Sequence, residues 1–411
     1  MLLVAALAWR NLWRNTRRTV LSGGAIAVMV VLLIFALSMQ YGSYEAMIDH
    51  AAGPSHGHLQ IQHPDYIESP RVRHLLEDAE SVARSIRTRD DIRGVATRAQ
   101  SSALASVGEK TFGTLVIGVE PEHEPVVSWL PGTVTEGRYL SGAKEEAVIG
   151  NLLANNLGIN LGDELVLLGV TPDDAMAVVV ANVVGLLHSG TAAIDRSMVH
   201  IPLGLFQEAF ELDTAAHSVA VMFERHTDAD NQRAAITDTI EASDNQATIA
   251  DWRRLMPEIE SAIASDKASS GIMYSLLVVL VTFSIANTFV MMIFERTREF
   301  GTLLAMGARP ATLIGTIQLE TLFLTLLGAG VGVVLGVLTA QWVGQIGISL
   351  GSDSQQLLAQ FQMPERIFFG VNWSAVLAAP LIMIATTQLA AYFASRRVRS
   401  MQIVEAIGEE M

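Results

Sequence analysis

The sequence predicts a membrane protein with four transmembrane helices and a large α+β extracytoplasmic domain inserted between helices 1 and 2. Three observations carry this. Half of the 411 residues are hydrophobic and only 17% are charged, with a mean hydropathy of +0.37. That is too apolar for an ordinary soluble protein and too charged for a bundle buried wholly in lipid. Four stretches almost free of charge are long enough to cross about 30 Å of hydrocarbon, which takes roughly 20 helical residues. Between the first two of them, residues 45–267 hold 34 acidic against 16 basic side chains, a net of −18 within an overall −15.

Residues 1–18, "MLLVAALAWRNLWRNTRR", set Trp9, Leu12 and Trp13 among Arg10, Arg14, Arg17 and Arg18. The pattern predicts an interfacial helix, with Trp at headgroup level and Arg reaching phosphates; a plain basic flank is the competing reading. The first span, 19–44, has an apolar run too long for a signal peptide and no clear cleavage site after it, so it reads as an uncleaved anchor.

The inserted segment 45–267 mixes helical and strand periodicity. "HLQIQ" (58–62) alternates like an edge strand, and His56, His58 and His63 around it read as solvated imidazoles. A metal site there would lack Cys and a placed carboxylate. Helices are expected over 75–87 and over 228–242, the latter capped by Asp228. Two strands joined at Gly108 are expected over 96–120, and a β-branched strand over 175–187. Residues 145–169 read as a short helix, a Gly-bounded turn and a strand. Residues 251–270 read as one helix carried straight into the second span.

That span covers 268–294. Residues 295–309 form a charged amphipathic loop, the third span with a tail covers 310–351, the fourth 367–395, and a tail 396–411. Basic residues cluster at the N-terminus, at Arg296, Arg298 and Arg309, and at Arg396, Arg397 and Arg399, whereas the loop between spans three and four holds only Arg366. The positive-inside rule therefore places both termini and 295–309 in the cytoplasm and 45–267 outside.

Gly328, Gly332, Gly336, Ala340 and Gly344 recur every four residues along one face of the third span. They predict close helix packing, within the protomer or across a dimer. Glu320 is expected to pair with an Arg or cap a neighbouring helix, a proton relay being the alternative. One such group falls short of what a secondary transporter uses. The chain has no Cys, hence no thiol nucleophile or zinc–thiolate site. "HSG" (188–190) does not fit a nucleophile elbow, and "GEKT" (108–111) lacks the glycines of a Walker A loop. So strongly acidic an outer domain disfavours nucleic acid as a partner.

"ERTREFGTLLAMGARPATLIGTIQLETLFLTLLGAGVGVVLG" (295–336) resembles the signature of MacB/FtsX/LolC-LolE-type ABC transporter permeases at Glu299, Gly301, Leu303, Ala305, Gly307, Ala308, Leu319 and Glu320. "WRNLWRNTRRT" near the N-terminus and residues 136–168 are similar to the same proteins. The resemblance implies that 295–309 is a cytoplasmic coupling helix seated in a separate ATPase. Glu295, Arg296, Arg298 and Glu299 would pair with that partner, and Phe300, Leu303, Leu304 and Met306 would fill its groove. It also implies two ATPase copies, a second permease protomer of the same or another kind, and surrounding membrane lipids. No cofactor is bound by this chain, ATP and Mg being used by the ATPase.

Work in such proteins is transmitted mechanically to the outer domain, and Met29, Leu33 and Leu37 of the first span are candidates to line a substrate cavity. The layout is most like the branch that releases lipoproteins from the outer leaflet of the inner membrane, sometimes to a periplasmic carrier or adaptor. "GVTPDDAMAV" (169–178) leaves no room for a long carrier-recruiting hook, which favours a hookless partner or a relative with another cargo. The alternatives are export of a peptide, drug or lipid by the same machinery, and an FtsX-like regulator of an extracytoplasmic cell-wall hydrolase.

Overall fold

In a bilayer, long runs of Leu, Val, Ile and Ala form helices, because only hydrogen bonds within the segment satisfy the backbone there. The structure, a computed structural model, describes residues 2–241, 247–349 and 366–396. The expected tail with Arg397 and Arg399, and the end of the third span past Ser349, lie outside the described residues. The chain divides into two units. One comprises the chain up to Tyr44, Ile263–Ser349 and the segment from Arg366; the other is Glu45–Ala262.

α1 (Leu2–Arg14) and α2 (Thr16–Ser55) meet at Asn15, where Thr19 Oγ1 donates to the Leu12 carbonyl at 2.5 Å. Trp9 and Trp13 are exposed, at 42% and 53%. α2 runs well past residue 44, and its last turns, from Glu45 on, belong to the second unit.

In that unit ten strands, counted among the described residues, form one sheet. They are β1 (Leu59–Gln62), β2 (Gly94–Val107), β3 (Lys110–Val119), β4 (Val134–Gly137) and β5 (Glu146–Gly150), followed by β6 (Glu164–Val170), β7 (Met176–Leu187), β8 (Met198–Pro202), β9 (Ser218–Met222) and β10 (Thr248–Asp251). β2 and β3 pair antiparallel about Gly108, whose φ of +59° suits glycine. β2 is long enough to pair twice along its other edge, Gly94–Arg98 with β9 and Leu104–Ser106 with β6. From β3 the pairing passes to β8, β5, β7 and β6 and so back to β2. The ring closes and leaves these strands without a free edge. β1 and β10 extend the sheet outward from β9.

The helices of this unit are α3 (Ala79–Arg87), α4 (Glu124–Val127), α5 (Asn151–Leu157), α6 (Ala192–Ser197), α7 (Leu203–Ala209), α8 (His226–Glu241) and α9 (Trp252–Leu255). α7 stacks Phe206 on Phe210, ring centroids 4.1 Å apart, and both rings need Gly118 and Gly169 beneath them. A Cβ at either glycine would come within 2.5 and 2.7 Å of the phenylalanines. The Arg98 side chain, buried, holds Glu124 through two hydrogen bonds of 2.6 and 3.0 Å and donates to the Gly53 carbonyl in the last turns of α2 at 3.0 Å. A buried guanidinium is tolerated when it is paired with a carboxylate in this way.

Several expectations are corrected here. β1 is not an edge strand: it lies between β10 and β9 with all four residues buried. Nor are its histidines solvated. His58 is buried and donates to Asp49 at 2.8 Å, and His56 bonds Gln60 at 3.0 Å. Partly exposed His63 accepts from the Asp65 amide at the start of a short turn. α3 begins only at Ala79, because Asp78 caps it and Leu76 bridges to Ala216. α8 begins at His226, ahead of Asp228. Residues 146–150 form β5 where a helix was expected from 145. The single helix expected over 251–270 is two. α9 stops at Leu255, Met256 leaves helical geometry (φ −131°, ψ 64°), and α10 (Pro257–Glu295) starts afresh. Pro257 lacks an N–H and disfavours helical geometry at the residue before it.

α11 (Thr297–Ala305), α12 (Pro310–Ile346) and α13 (Trp373–Ser395) complete the chain. Among the described residues, α2, α10, α12 and α13 are the four helices long and apolar enough to cross a membrane. The small-residue stripe of α12 packs within the protomer. Cβ atoms at Gly328 and Gly332 would lie 2.6 and 2.7 Å from the carbonyl oxygens of Gly23 and Ala27 on α2, and one at Gly336 would meet Ile34 at 3.2 Å. A Cβ at Gly344 would collide with the Phe369 carbonyl, and Ala340 is fully buried. On another face of α12, Thr325 and Thr387 of α13 share a hydrogen bond of 3.0 Å. Met29 and Leu33 are buried among these helices, so they do not line an open cavity, and Leu37 is half-buried.

Two predictions follow from this packing. Gly332→Leu overpacks the α2–α12 seam and should lower the thermal midpoint of the detergent-solubilised chain, at a cost of about 1–3 kcal/mol. Gly330→Leu, with nothing within 4 Å of its Cβ, should leave the midpoint unchanged. The second concerns pH. Burial lowers the pKa of His200 to about 3, helped by Arg98, and that of His217 to about 4. His217 accepts from the Gln100 amide through Nδ1 and donates to the Val72 carbonyl through Nε2, which requires the neutral ring. The unfolded chain takes up these protons below about pH 6.5, whereas the folded chain resists until about pH 4. Stability is therefore full above pH 6.5 and falls as pH drops toward 4. Denaturant titrations followed by Trp fluorescence should show that fall, and His217→Gln should flatten it.

Candidate functional site

α10 ends at Glu295, and Arg296, with φ −102° and ψ 10°, breaks the helix before α11 begins. α11 is closed by Gly307 at φ +92°, and extended Arg309 leads to Pro310 at the first turn of α12. The sequence thus delimits a short amphipathic helix with a stop at each end.

Which face of α11 looks inward corrects the expected docking set. Phe300 is 3% exposed and packs with Ile293, Leu313, Ile314 and Ile317, and Leu304 packs against the same cluster. These two side chains fill the protein's own interior and are not free to enter a partner's groove. The outward face carries exposed Arg298, Leu303 (38%) and Met306 (71%).

Most of the expected docking charges are also engaged at home. Buried Glu320 of α12 accepts from Arg296 at 3.2 Å, and the same guanidinium donates to Glu299 at 2.9 Å. Glu299 in turn accepts two hydrogen bonds from Arg14 of α1, at 2.9 and 3.0 Å. Arg18 of α2 bonds Glu295 at 3.0 Å and the Thr288 carbonyl at 2.8 Å. Burial pushes the Glu299 carboxyl up, but the bonds from Arg296 and Arg14 outweigh it and hold its pKa below the ordinary carboxylate value. A cavity of about 30 Å³ lies at the centre of these groups, bordered by Asn11, Ser22 and Glu320; it is sized for a water molecule.

At the other end of the same unit, Asp266 of α10 accepts from Gln40 at 3.0 Å and from the Tyr44 hydroxyl at 2.6 Å, both on α2. The Lys267 ammonium sits 5.3 Å from the Tyr44 ring centre. This clasp was not foreseen. Its only trace in the sequence is a polar i, i+4 pair near the end of an apolar run, answered by charges just before another.

In the second unit, His188, Ser189 and Asp195 meet. Asp195 stands in the middle, accepting from His188 Nδ1 at 2.8 Å and from Ser189 Oγ at 2.6 Å. With its hydrogen spent on Asp195 and no imidazole to take it, the serine is not arranged as a nucleophile. β6 and β7 join through a tight turn at Thr171–Ala175, with Val170 paired to Met176.

Comparison with known proteins agrees with this layout. Residues 19–239 match the MacB-like periplasmic core domain, and residues 271–403 match the FtsX-like permease C-terminal domain. The lipoprotein-releasing system transmembrane protein LolC of Xylella fastidiosa (strain Temecula1) is 23% identical over 332 residues, which cover 78% of each chain. An uncharacterized ABC transporter permease of Methanocaldococcus jannaschii is 20% identical over 99% of this chain and 98% of its own. The crystal structure of the periplasmic region of MacB from Actinobacillus actinomycetemcomitans aligns with a TM-score of 0.37 and 16% identity, over 49% of this chain and 92% of that one. With the MacB-like core match spanning more than half of this chain and the FtsX-like permease region following it, this chain belongs to the MacB/FtsX/LolC-type ABC transporter permeases.

Proposed function

We propose that this permease is a mechanical transmitter that releases lipid-anchored proteins from the outer leaflet of the inner membrane. Both termini and α11 are cytoplasmic, and the inserted domain lies in the periplasm. α11 docks in a separate ABC ATPase that binds ATP and Mg. Two ATPase copies serve two permease protomers.

The observation that carries the reading is the division of α11 into two faces. One is locked to its own protomer by Phe300 and by the pairs around Arg296. The other offers Arg298, which makes no ion pair among the described residues, and two exposed apolar side chains, Leu303 and Met306, a combination that seats well in a partner's groove. A helix anchored on one side and docked on the other passes displacement to the spans that anchor it. Lipoprotein as cargo is supported by the LolC relatives. The tight turn at Thr171–Ala175 supports leaving any carrier recruitment to another subunit.

Arg298→Glu combined with Met306→Asp should abolish ATPase capture in pull-down and lower permease-stimulated ATP turnover by at least about tenfold, a loss of roughly 1.4 kcal/mol or more, with membrane insertion intact. Capture and turnover at wild-type level would refute docking through this face. Cargo is read by a photocrosslinker at Leu32, which is exposed on α2. Capture of an acylated protein is the expected result. Capture of a peptide, drug or free lipid would reassign the cargo, and capture of a cell-wall hydrolase by the outer domain would make the chain a regulator.

A further inference from the structure

Beside the bend at Asn15 lies a groove of about 660 Å³, lined by Arg14, Arg17 and Arg18 from α1 and α2 and by Asn287, Thr288 and Met291 from α10, with Glu295 as its one carboxylate. Arg14 and Arg18 are held in place by Glu299 and Glu295. Arg17 is exposed and makes no ion pair among the described residues. Asn287 is an exposed amide beside Thr288 and one turn from exposed Ser284, polar groups that favour a polar occupant of the groove over bare hydrocarbon.

The two helices that form the groove continue away from it as apolar tracks. On α2, Arg17, Leu21, Gly24 and Val28 follow one another at helical spacing, and all four are exposed; on α10, Met291, Asn287, Ser284 and Leu280 do the same. Residues three and four apart share a helix face, so the α2 track leads from Arg17 to apolar Leu21 and Val28, and the α10 track from Asn287 past Ser284 to apolar Leu280. A cationic and amide-bearing head followed by two exposed apolar tracks has the chemistry of an anionic phospholipid: phosphate oxygens at Arg17 and its neighbours, acyl chains along Leu21–Val28 and Leu280–Ser284. Exposed Trp9 and Trp13 on α1 set this bend at the depth of lipid headgroups.

We infer that the groove between the α1–α2 bend and α10 is a binding site for an anionic glycerophospholipid of the leaflet in which α11 lies. The site owes nothing to the cargo and would stand if the cargo were reassigned.

The purified full chain, doped with phosphatidylglycerol or phosphatidylcholine and examined by native mass spectrometry, tests this. Phosphatidylglycerol should be retained at least about fivefold more strongly, the discrimination expected of one guanidinium near an anionic headgroup. Arg17→Ala with Asn287→Leu should remove that preference, while Arg10→Ala, outside the groove, should keep it. Equal retention of the two lipids, or an undiminished preference in the double variant, overturns the assignment. Displacement of the lipid by millimolar inorganic phosphate would make the groove a site for soluble anions. Disulfide crosslinking of Asn287→Cys between two copies of the chain in membranes would give the groove to a protein contact. Either result would also overturn the proposal.

Discussion

A single buried carboxylate governs one end of the membrane unit. Glu320 sits in the apolar helix α12, where an ionised group is tolerated only when paired. Arg296 meets it, and Arg296 can do so only because α10 stops and α11 turns away at that residue. The shared guanidinium then fixes Glu299, and Glu299 fixes Arg14 on α1. An exposed pair such as Arg14–Glu299 is by itself worth about 0–1 kcal/mol; here it is one link of a connected network that reaches a buried partner. α11 cannot shift without involving α1, α10 and α12.

The helices around this cluster are not held equally. α2 and α12 approach to backbone contact along the glycine stripe, a seam that does not deform gradually because protein interiors are close-packed. α10 buries Ile263, Val278, Ile285, Phe289, Met292 and Ile293, and between Gly271 and Leu280 all but Tyr274 and Val278 are exposed. Its remaining ties to α2 are polar and lie at the two ends: Arg18 with Glu295, and Gln40 and Tyr44 with Asp266. α10 is thus held by those buried side chains and by hydrogen bonds at its ends, whereas α2 and α12 meet at backbone contact along the seam. That contrast bears on the transmission proposed for α11.

The inserted domain has a comparable logic. Closing six strands into a ring removes exposed edges, and burying Arg98 against Glu124 and the Gly53 carbonyl joins the last turns of α2 to strand β2. The buried histidines are kept neutral by the same exclusion of water.

Hydropathy and charge alone located the four spans and the inserted α+β domain, because a bilayer imposes a length and a polarity that any sequence must display. The hairpin at Gly108 and the helix bounded by Arg296 and Gly307 were also legible, since their signals are local. Strand neighbours were not. β1 resembled an edge strand until β9 and β10 closed over it, and Pro257 split a helix whose periodicity read as continuous. The direction in which Phe300, Leu304, Met29 and Leu33 point was likewise undetermined. An amphipathic pattern says that one face is apolar, not whether it meets a partner or its own chain. That choice, with the pairing of Arg296 to Glu320 and of Asp266 to Gln40 and Tyr44, belongs to tertiary structure, because each contact joins residues far apart in sequence whose meeting depends on how whole helices pack.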